Sequence, residues 1–226
     1  MKIYLFDTLS KKKKEFIPID NKNVRIYACG PTVYNFAHLG NARMAVVTDL
    51  LVRVLKQKYK KVTFISNITD IDDKIIEAAQ EHNVTIGELT NKYHLIYNQD
   101  MESLGVSLPT FQPKATDYIS DMIDFIKILI GNKCAYESDG NILFDTQSYK
   151  YYGALSKRVM NDQKTGTRIK TANYKRNDND FILWKPSSKN EPGWDSPWGI
   201  GRPGWHIECS AMSKKCLGLP FDIHCG

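Results

Sequence analysis

No stretch of this chain approaches the roughly 18 consecutive apolar residues that a bilayer-spanning helix needs, so a membrane-embedded helical protein is excluded. No secretory leader is legible either. Asp7 interrupts the first apolar stretch, Lys11 to Lys14 follow it instead of preceding it, and no small-residue cleavage site appears. The chain lacks a CxxC pair, and its cysteines, Cys29, Cys134, Cys209, Cys216 and Cys225, are odd in number and widely spaced. With no secretory context, that excludes a disulfide framework. Internal repeats and long low-complexity tracts are also missing, which removes solenoids and disordered arrays. What remains is a cytoplasmic globular protein of ordinary make-up, 226 residues long with 42% hydrophobic and 25% charged residues. The net charge of +6 permits a polyanionic partner without demanding one.

Two basic tracts stand out. Lys11 to Lys14 read as a solvated loop between two strands. The tract holding Lys157, Arg158, Lys164, Arg168, Lys170, Lys175 and Arg176, with tyrosines close by, suits either a nucleic-acid-facing surface or a polar linker.

Periodicity places a short buried strand at Val24 to Ala28, then the turn-rich segment CGPTVYNFAHLGN. Ala42 to Lys58 reads as an amphipathic helix with Met44, Val47, Leu51, Val54 and Leu55 inward and Asp49, Arg53 and Lys56 outward. Val62 to Ile68 reads as the next buried strand. Asp70, Asp72 and Asp73 open a following helix, where carboxylates suit the positive end of the dipole. Thr85 and Glu88 form a capping box before another helix, with Ile86, Leu89, Tyr93, Ile96, Tyr97 and Leu104 on its apolar face. This alternation predicts a right-handed βαβ unit and an α/β fold with a doubly wound parallel sheet. Beyond Pro109 and Pro113 the character changes. Thr116 to Ile130 reads as a helix stopped by Gly131, and Cys134 to Asp145 as a hairpin turning at Asp139-Gly140. The expected divisions are 1–114, an inserted subdomain over 115–200, and 201–226 returning to the first domain.

His38-Leu39-Gly40-Asn41 follows a strand and a tight loop and opens a helix. Unpaired N–H groups at a helix start attract phosphate, glycine permits close approach, and a histidine there can stabilise developing phosphate charge. Taken alone, these four residues read better as a polar helix cap with a surface histidine. Asp70, Asp72 and Asp73 need no metal to explain them, and His82 and His94 read as ordinary surface or packing residues. From spacing, the local metal-binding option is His206 with Cys209, one helical turn apart. Each lone cysteine otherwise reads as a buried small hydrophobe.

CGPTVYNFAHLGNAR closely resembles the first block of the cysteinyl-tRNA synthetases, with HLGN where class I synthetases carry their HIGH motif. NITDIDDKI (Asn67 to Ile75), GRPGWHIECSAMS (Gly201 to Ser213) and FDIHCG (Phe221 to Gly226) resemble further blocks in the same order, so the likeness runs over essentially the whole chain. The resemblance implies a class I Rossmann-like catalytic domain with an inserted α+β connective subdomain. It implies a ligase that joins cysteine to ATP as cysteinyl-adenylate and passes it to the 3′ end of tRNA(Cys). His38 and Asn41 would be catalytic, and Gly30, Thr32, His38, Gly40, Asn41, His224 and Gly226 would bind the nucleotide. Cys29, Thr69 and Trp205 would line the cysteine pocket, although core packing is an alternative for Trp205. Cys29 and Cys209 would hold one Zn²⁺, with Mg²⁺ accompanying ATP. A soft metal separates thiolate from hydroxyl where size cannot, and coordination lowers the thiol pKa. Cysteine, ATP or AMP and tRNA(Cys) are the implied partners of a monomer.

Departures from the pattern are Asn41 in place of the last histidine of HIGH, and Cys225 where glycine is usual. The family's further zinc ligands, its KMSKS loop and its anticodon-reading domain are not found in these residues. The expectation is therefore that residues 1–226 alone have little or no aminoacylation activity. Two other readings stand beside the ligase: a related cysteine ligase with a small amine acceptor, and a non-catalytic nucleotide- or zinc-binding module.

Overall fold

The computed structural model of the chain describes residues 2–156 and 173–226. The strands are β1 (Tyr4–Asp7), β2 (Lys12–Glu15), β3 (Val24–Ala28), β4 (Val62–Ser66), β5 (Ala135–Ser138), β6 (Asn141–Phe144), β7 (Phe181–Pro186), β8 (Gly201–Pro203) and β9 (Ile223–Cys225). The helices are α1 (Leu39–Lys56), α2 (Asp73–Glu81), α3 (Ile86–Ser103), α4 (Ile119–Gly131) and α5 (Trp205–Leu217). They form two compact units, one of Met1–Phe16 with Ile123–His206, the other of Ile17–Met122 with Ile207–Gly226.

The second unit carries a three-stranded parallel sheet in the order β4-β3-β9. Its centre, β3, is buried at Val24, Ile26, Tyr27 and Ala28, as a parallel strand covered on both faces must be. The parallel sheet with helices expected from the alternation of elements is present. Asp222 ties distant β9 to β3, its carboxylate accepting from the backbone N–H of Ile19 at 2.6 Å and of Arg25 at 2.7 Å. The Arg25 guanidinium donates to the carbonyls of Leu217 (2.8 Å) and Pro220 (2.7 Å).

α1 is turned differently from the expectation. Its buried residues are Thr48, Asp49, Val52 and Leu55, while Val47 and Val54 are exposed. Asp49 tolerates burial because Arg53 bonds its carboxylate at 2.6 Å and the Ser107 N–H reaches it at 3.2 Å. Among the three aspartates, Asp72 is the cap of α2, accepting from the Lys74 N–H at 2.9 Å. Asp70 is buried and instead takes the backbone N–H (3.0 Å) and hydroxyl (2.6 Å) of Thr116. The Thr85–Glu88 capping box is formed. α2 and α3 meet through Ile75, Ala79, Leu89 and Tyr93, with Val33 and Ile68 in the same cluster. Leu104, expected inward, is exposed.

The first unit holds a four-stranded antiparallel sheet, β5-β6-β7-β8, and the β1-β2 hairpin. Asp139 (φ 48°) and Gly140 (φ 73°) make the left-handed two-residue turn between β5 and β6 that Asp-Gly favours. Lys12, Lys13 and Lys14 lie within β2 and not in a loop, because β1 pairs with them; all three remain exposed. Lys157, Arg158, Lys164, Arg168 and Lys170 lie outside the described residues. Arg176 stacks over the Tyr136 ring at 3.9 Å.

Asp180 organises this unit from a position 1% exposed. It accepts from the Tyr136 hydroxyl (2.7 Å), the Thr146 N–H (3.0 Å) and hydroxyl (2.9 Å), and the Asn177 N–H (3.1 Å). Removing the shared acceptor strands several donors at once, whereas removing the Tyr136 hydroxyl strands only the Arg176 N–H that it accepts at 2.8 Å. Asp180→Ala is expected to cost about 3 kcal/mol or more in urea denaturation of the chain, and Tyr136→Phe about 1 kcal/mol.

Candidate active site

The parallel strands β3, β4 and β9 end at one edge, where α/β sheets place their ligands. The turn after β3 presses against the chain after β4. A Cβ on Gly30 would sit 1.6 Å from the Asn67 carbonyl oxygen, so only glycine fits. Backbone bonds lock the contact: Thr69 N–H to Pro31 O at 3.0 Å, and Val33 N–H to Thr69 O at 3.2 Å. Thr32 and Thr69 face each other in a parallel bridge. On the other side the Cys29 N–H donates to Cys225 O at 3.0 Å, and Gly226 lies beside Cys29, its Cβ position 3.9 Å from Sγ.

Cys29 and Cys209 come together from distant parts of the sequence, each partly buried and hydrogen-bonded to the other through their thiols. That bond, followed by burial, pushes the Cys209 thiol far above its ordinary range. His224 Nε2 lies 3.5 Å from Cys29 Sγ. Two neighbouring thiols suit a soft cation, which would displace both of their protons. They supply two ligands, and the described residues contain no group of three or more His, Cys, Asp or Glu arranged to hold a metal.

Around the sulfur pair runs a buried polar network that sequence reasoning missed. The Asn67 side-chain oxygen accepts from the Gly30 N–H (3.0 Å), the Tyr27 hydroxyl (3.0 Å) and the Cys209 thiol (3.6 Å). Its amide nitrogen donates to the Thr69 hydroxyl at 3.3 Å, which donates in turn to the Glu208 carboxyl at 2.9 Å. Asn67, Thr69 and Glu208 are each at most 1% exposed. Burial raises the Glu208 carboxyl well above its usual range against the pull of the Thr69 bond, and Asp72 and Asp70 add to the rise. Burial likewise holds Tyr27 protonated, a permanent donor. The signal for Asn67 and Glu208 was present only as polar letters inside apolar segments.

His38 is the N-cap of α1. Its Nδ1 accepts from the Gly40 N–H at 3.0 Å, while Asn41 Oδ1 accepts the His38 N–H at 3.1 Å. The Asn41 and Ala42 N–H groups bond to His38 O. With Nδ1 an acceptor, the ring proton is on Nε2, so what the exposed helix start offers an anion is the His38 ring. A Cβ on Gly40 would meet that ring at 2.8 Å.

The structure thus gathers Cys29, Gly30, Thr32, Thr69, Cys209, His224 and Gly226 in one unit, with the His38 cap following the same turn. Trp205 opens α5 in the other unit, exposed, its ring 5.1 Å from that of His206. His206 also lies 4.7 Å from Phe181. Cys216 bonds the Tyr118 hydroxyl at 3.4 Å.

A family profile described as tRNA synthetases class I (C) catalytic domain matches residues 15–226. A cysteine–tRNA ligase of Maricaulis maris is 54% identical over 224 residues, spanning 98% of this chain and 49% of that protein. One from Parvibaculum lavamentivorans is 51% identical over 226 residues, 100% of this chain and 48% of that protein. The chain therefore spans about half the length of the curated relatives it matches. Among solved structures, the methionyl-tRNA synthetase of Mycobacterium tuberculosis bound by methionyl-adenylate shares the fold. Its TM-score is 0.62 at 13% identity, over 90% of this chain and 51% of that chain.

Gly30→Ala is expected to separate the β3 and β4 turns and lower the thermal midpoint markedly; an unchanged melt would contradict the contact. In metal-free protein, iodoacetamide should alkylate Cys209 only as pH rises well above the ordinary thiol value of about 8.5. Peptide mass mapping across a pH series reads this, and alkylation at neutral pH as fast as a free cysteine would contradict it.

Proposed function

The chain belongs to the family of class I (C) tRNA synthetase catalytic domains, and from that premise we propose that it is the cysteine-activating part of a cytoplasmic, monomeric cysteine–tRNA ligase. The observation that carries the reading is the pairing of Cys29 with Cys209 at the carboxyl edge of the parallel sheet, within a chain so similar to cysteine–tRNA ligases. In this reading 115–200 is an inserted connective subdomain between the parts 1–114 and 201–226 of the catalytic domain.

The reaction takes place in two displacements. The carboxylate oxygen of cysteine attacks the α-phosphorus of ATP and pyrophosphate leaves, giving cysteinyl-adenylate. A ribose hydroxyl at the 3′ end of tRNA(Cys) then attacks the carbonyl, and AMP leaves. His38, with its proton on Nε2, donates to a phosphate oxygen and stabilises charge developing there. Asn41 holds the His38 backbone, and Gly40 leaves room for the ring. Gly30 and Thr32, His224 and Gly226 form the nucleotide's side of the edge. Thr69 lines the amino-acid side. Cys29 and Cys209 would hold zinc as thiolates. Zinc held there would supply a soft Lewis acid that prefers a thiolate sulfur to a hydroxyl oxygen. The rest of catalysis is positioning.

The test is cysteine-dependent ATP–pyrophosphate exchange by the full reading frame, with serine as control. Exchange with cysteine and not serine is expected. Cys29→Ser and Cys209→Ser should each lose stoichiometric zinc by metal analysis and lower exchange by about a hundredfold or more. A folded, zinc-loaded wild type without exchange would overturn the ligase reading in favour of a binding module.

A further inference from the structure

We propose that Asn67 is a positioning residue of the amino-acid site, fixing the sulfur pair and the Thr69 hydroxyl relative to each other by the direction of its hydrogen bonds. The proposal takes only the identity of the ligand from the reading above.

The direction follows from groups that have no choice. The Gly30 backbone N–H can only donate, so the Asn67 atom 3.0 Å away is the amide oxygen. The amide nitrogen must then face Thr69, at 3.3 Å. Thr69 has one hydroxyl hydrogen, directed to Glu208 at 2.9 Å, so it meets Asn67 as an acceptor. The chain of donors therefore runs one way, from Asn67 to Thr69 to Glu208. At its start the same amide oxygen gathers the Gly30 turn, Tyr27 and the Cys209 thiol. Cys29 adjoins Gly30 in sequence, so both sulfurs are referred to one side chain.

No other side chain of this size does both tasks. Aspartate has the same shape and keeps the acceptor, but it has no donor for Thr69. It would set two oxygens with opposed lone pairs where Asn67 and Thr69 now bond, away from water, where mismatched polar groups are most costly. The mismatch has a specific cure. If Glu208 becomes glutamine, its amide can donate to Thr69 at every pH, where a carboxyl can do so only when protonated, and Thr69 can turn its hydrogen toward an aspartate at 67. Asn67→Asp combined with Glu208→Gln would thus run the chain backwards with every partner satisfied.

The experiment compares wild type, N67D, E208Q and the N67D/E208Q double variant in the full reading frame. Thermal midpoints, cadmium affinity from the sulfur-to-cadmium absorption band, and KM for cysteine and for ATP in pyrophosphate exchange are measured. N67D is expected to melt several degrees lower, to bind cadmium about tenfold more weakly, and to raise the cysteine KM about tenfold with the ATP KM nearly unchanged. E208Q alone should lose less of each than N67D, since glutamine can still accept from Thr69. The double variant should recover most of the midpoint, cadmium affinity and cysteine KM. A double variant no better than N67D overturns the hydrogen-bond direction. An N67D variant that melts lower yet keeps wild-type cadmium affinity and cysteine KM overturns the positioning role and leaves a structural one. Wild type without exchange would retire the ligase reading by itself, and the melts and cadmium affinities would still decide for or against Asn67.

Discussion

The site depends on the absence of one side chain. Because Gly30 carries no Cβ, the turn after β3 can lie directly on the backbone of Asn67. That contact brings Thr69 N–H to Pro31 O and the Gly30 N–H to the Asn67 amide, and it places Cys29 where Cys209 can reach it. Two strand ends that would otherwise splay are held in a fixed register. The ligand edge of the sheet is built around a van der Waals limit more than around any attractive interaction.

The molecule treats its buried polar groups in two ways. Asp49, Asp70, Asp180 and Arg202 tie loops to elements, and each is held by named partners. Arg202, for example, meets both oxygens of Glu191 at 3.0 and 3.1 Å. The Asn67 network is different. It ends on sulfurs hydrogen-bonded to each other and on a carboxyl raised by burial. The first kind fixes the fold, and the second keeps chemical capacity in reserve.

Strands β3 and β4, the Asp139-Gly140 turn and the Thr85 cap were legible because each has a local cause: apolar runs, turn chemistry and capping. The face of α1 was misread because Asp49 looks like a solvent residue until Arg53 and Ser107 are seen to enclose it. Asp70 was misread for the same reason, its partner Thr116 lying far along the chain. Within the site, spacing alone favoured His206 as a companion for Cys209. Only resemblance to whole sequence blocks paired Cys209 with Cys29. Asn67 and Glu208 escaped both routes, since a hydrogen-bond direction has no signature in a string of letters.

The sheet order β4-β3-β9 has a consequence for how the site comes into being. β3, α1 and β4 are contiguous and can assemble as soon as they leave the ribosome. The strand that completes β3's other edge, and the helix that brings Cys209, follow only after the whole antiparallel sheet has been made. Closing so long a loop adds little entropy per residue but considerable delay. During synthesis the chain therefore passes through an interval in which β3 has an open edge and Cys29 has no sulfur partner. The Cys29–Cys209 pair is thus assembled late, and it is where a nascent chain is most exposed to oxidation and mispairing.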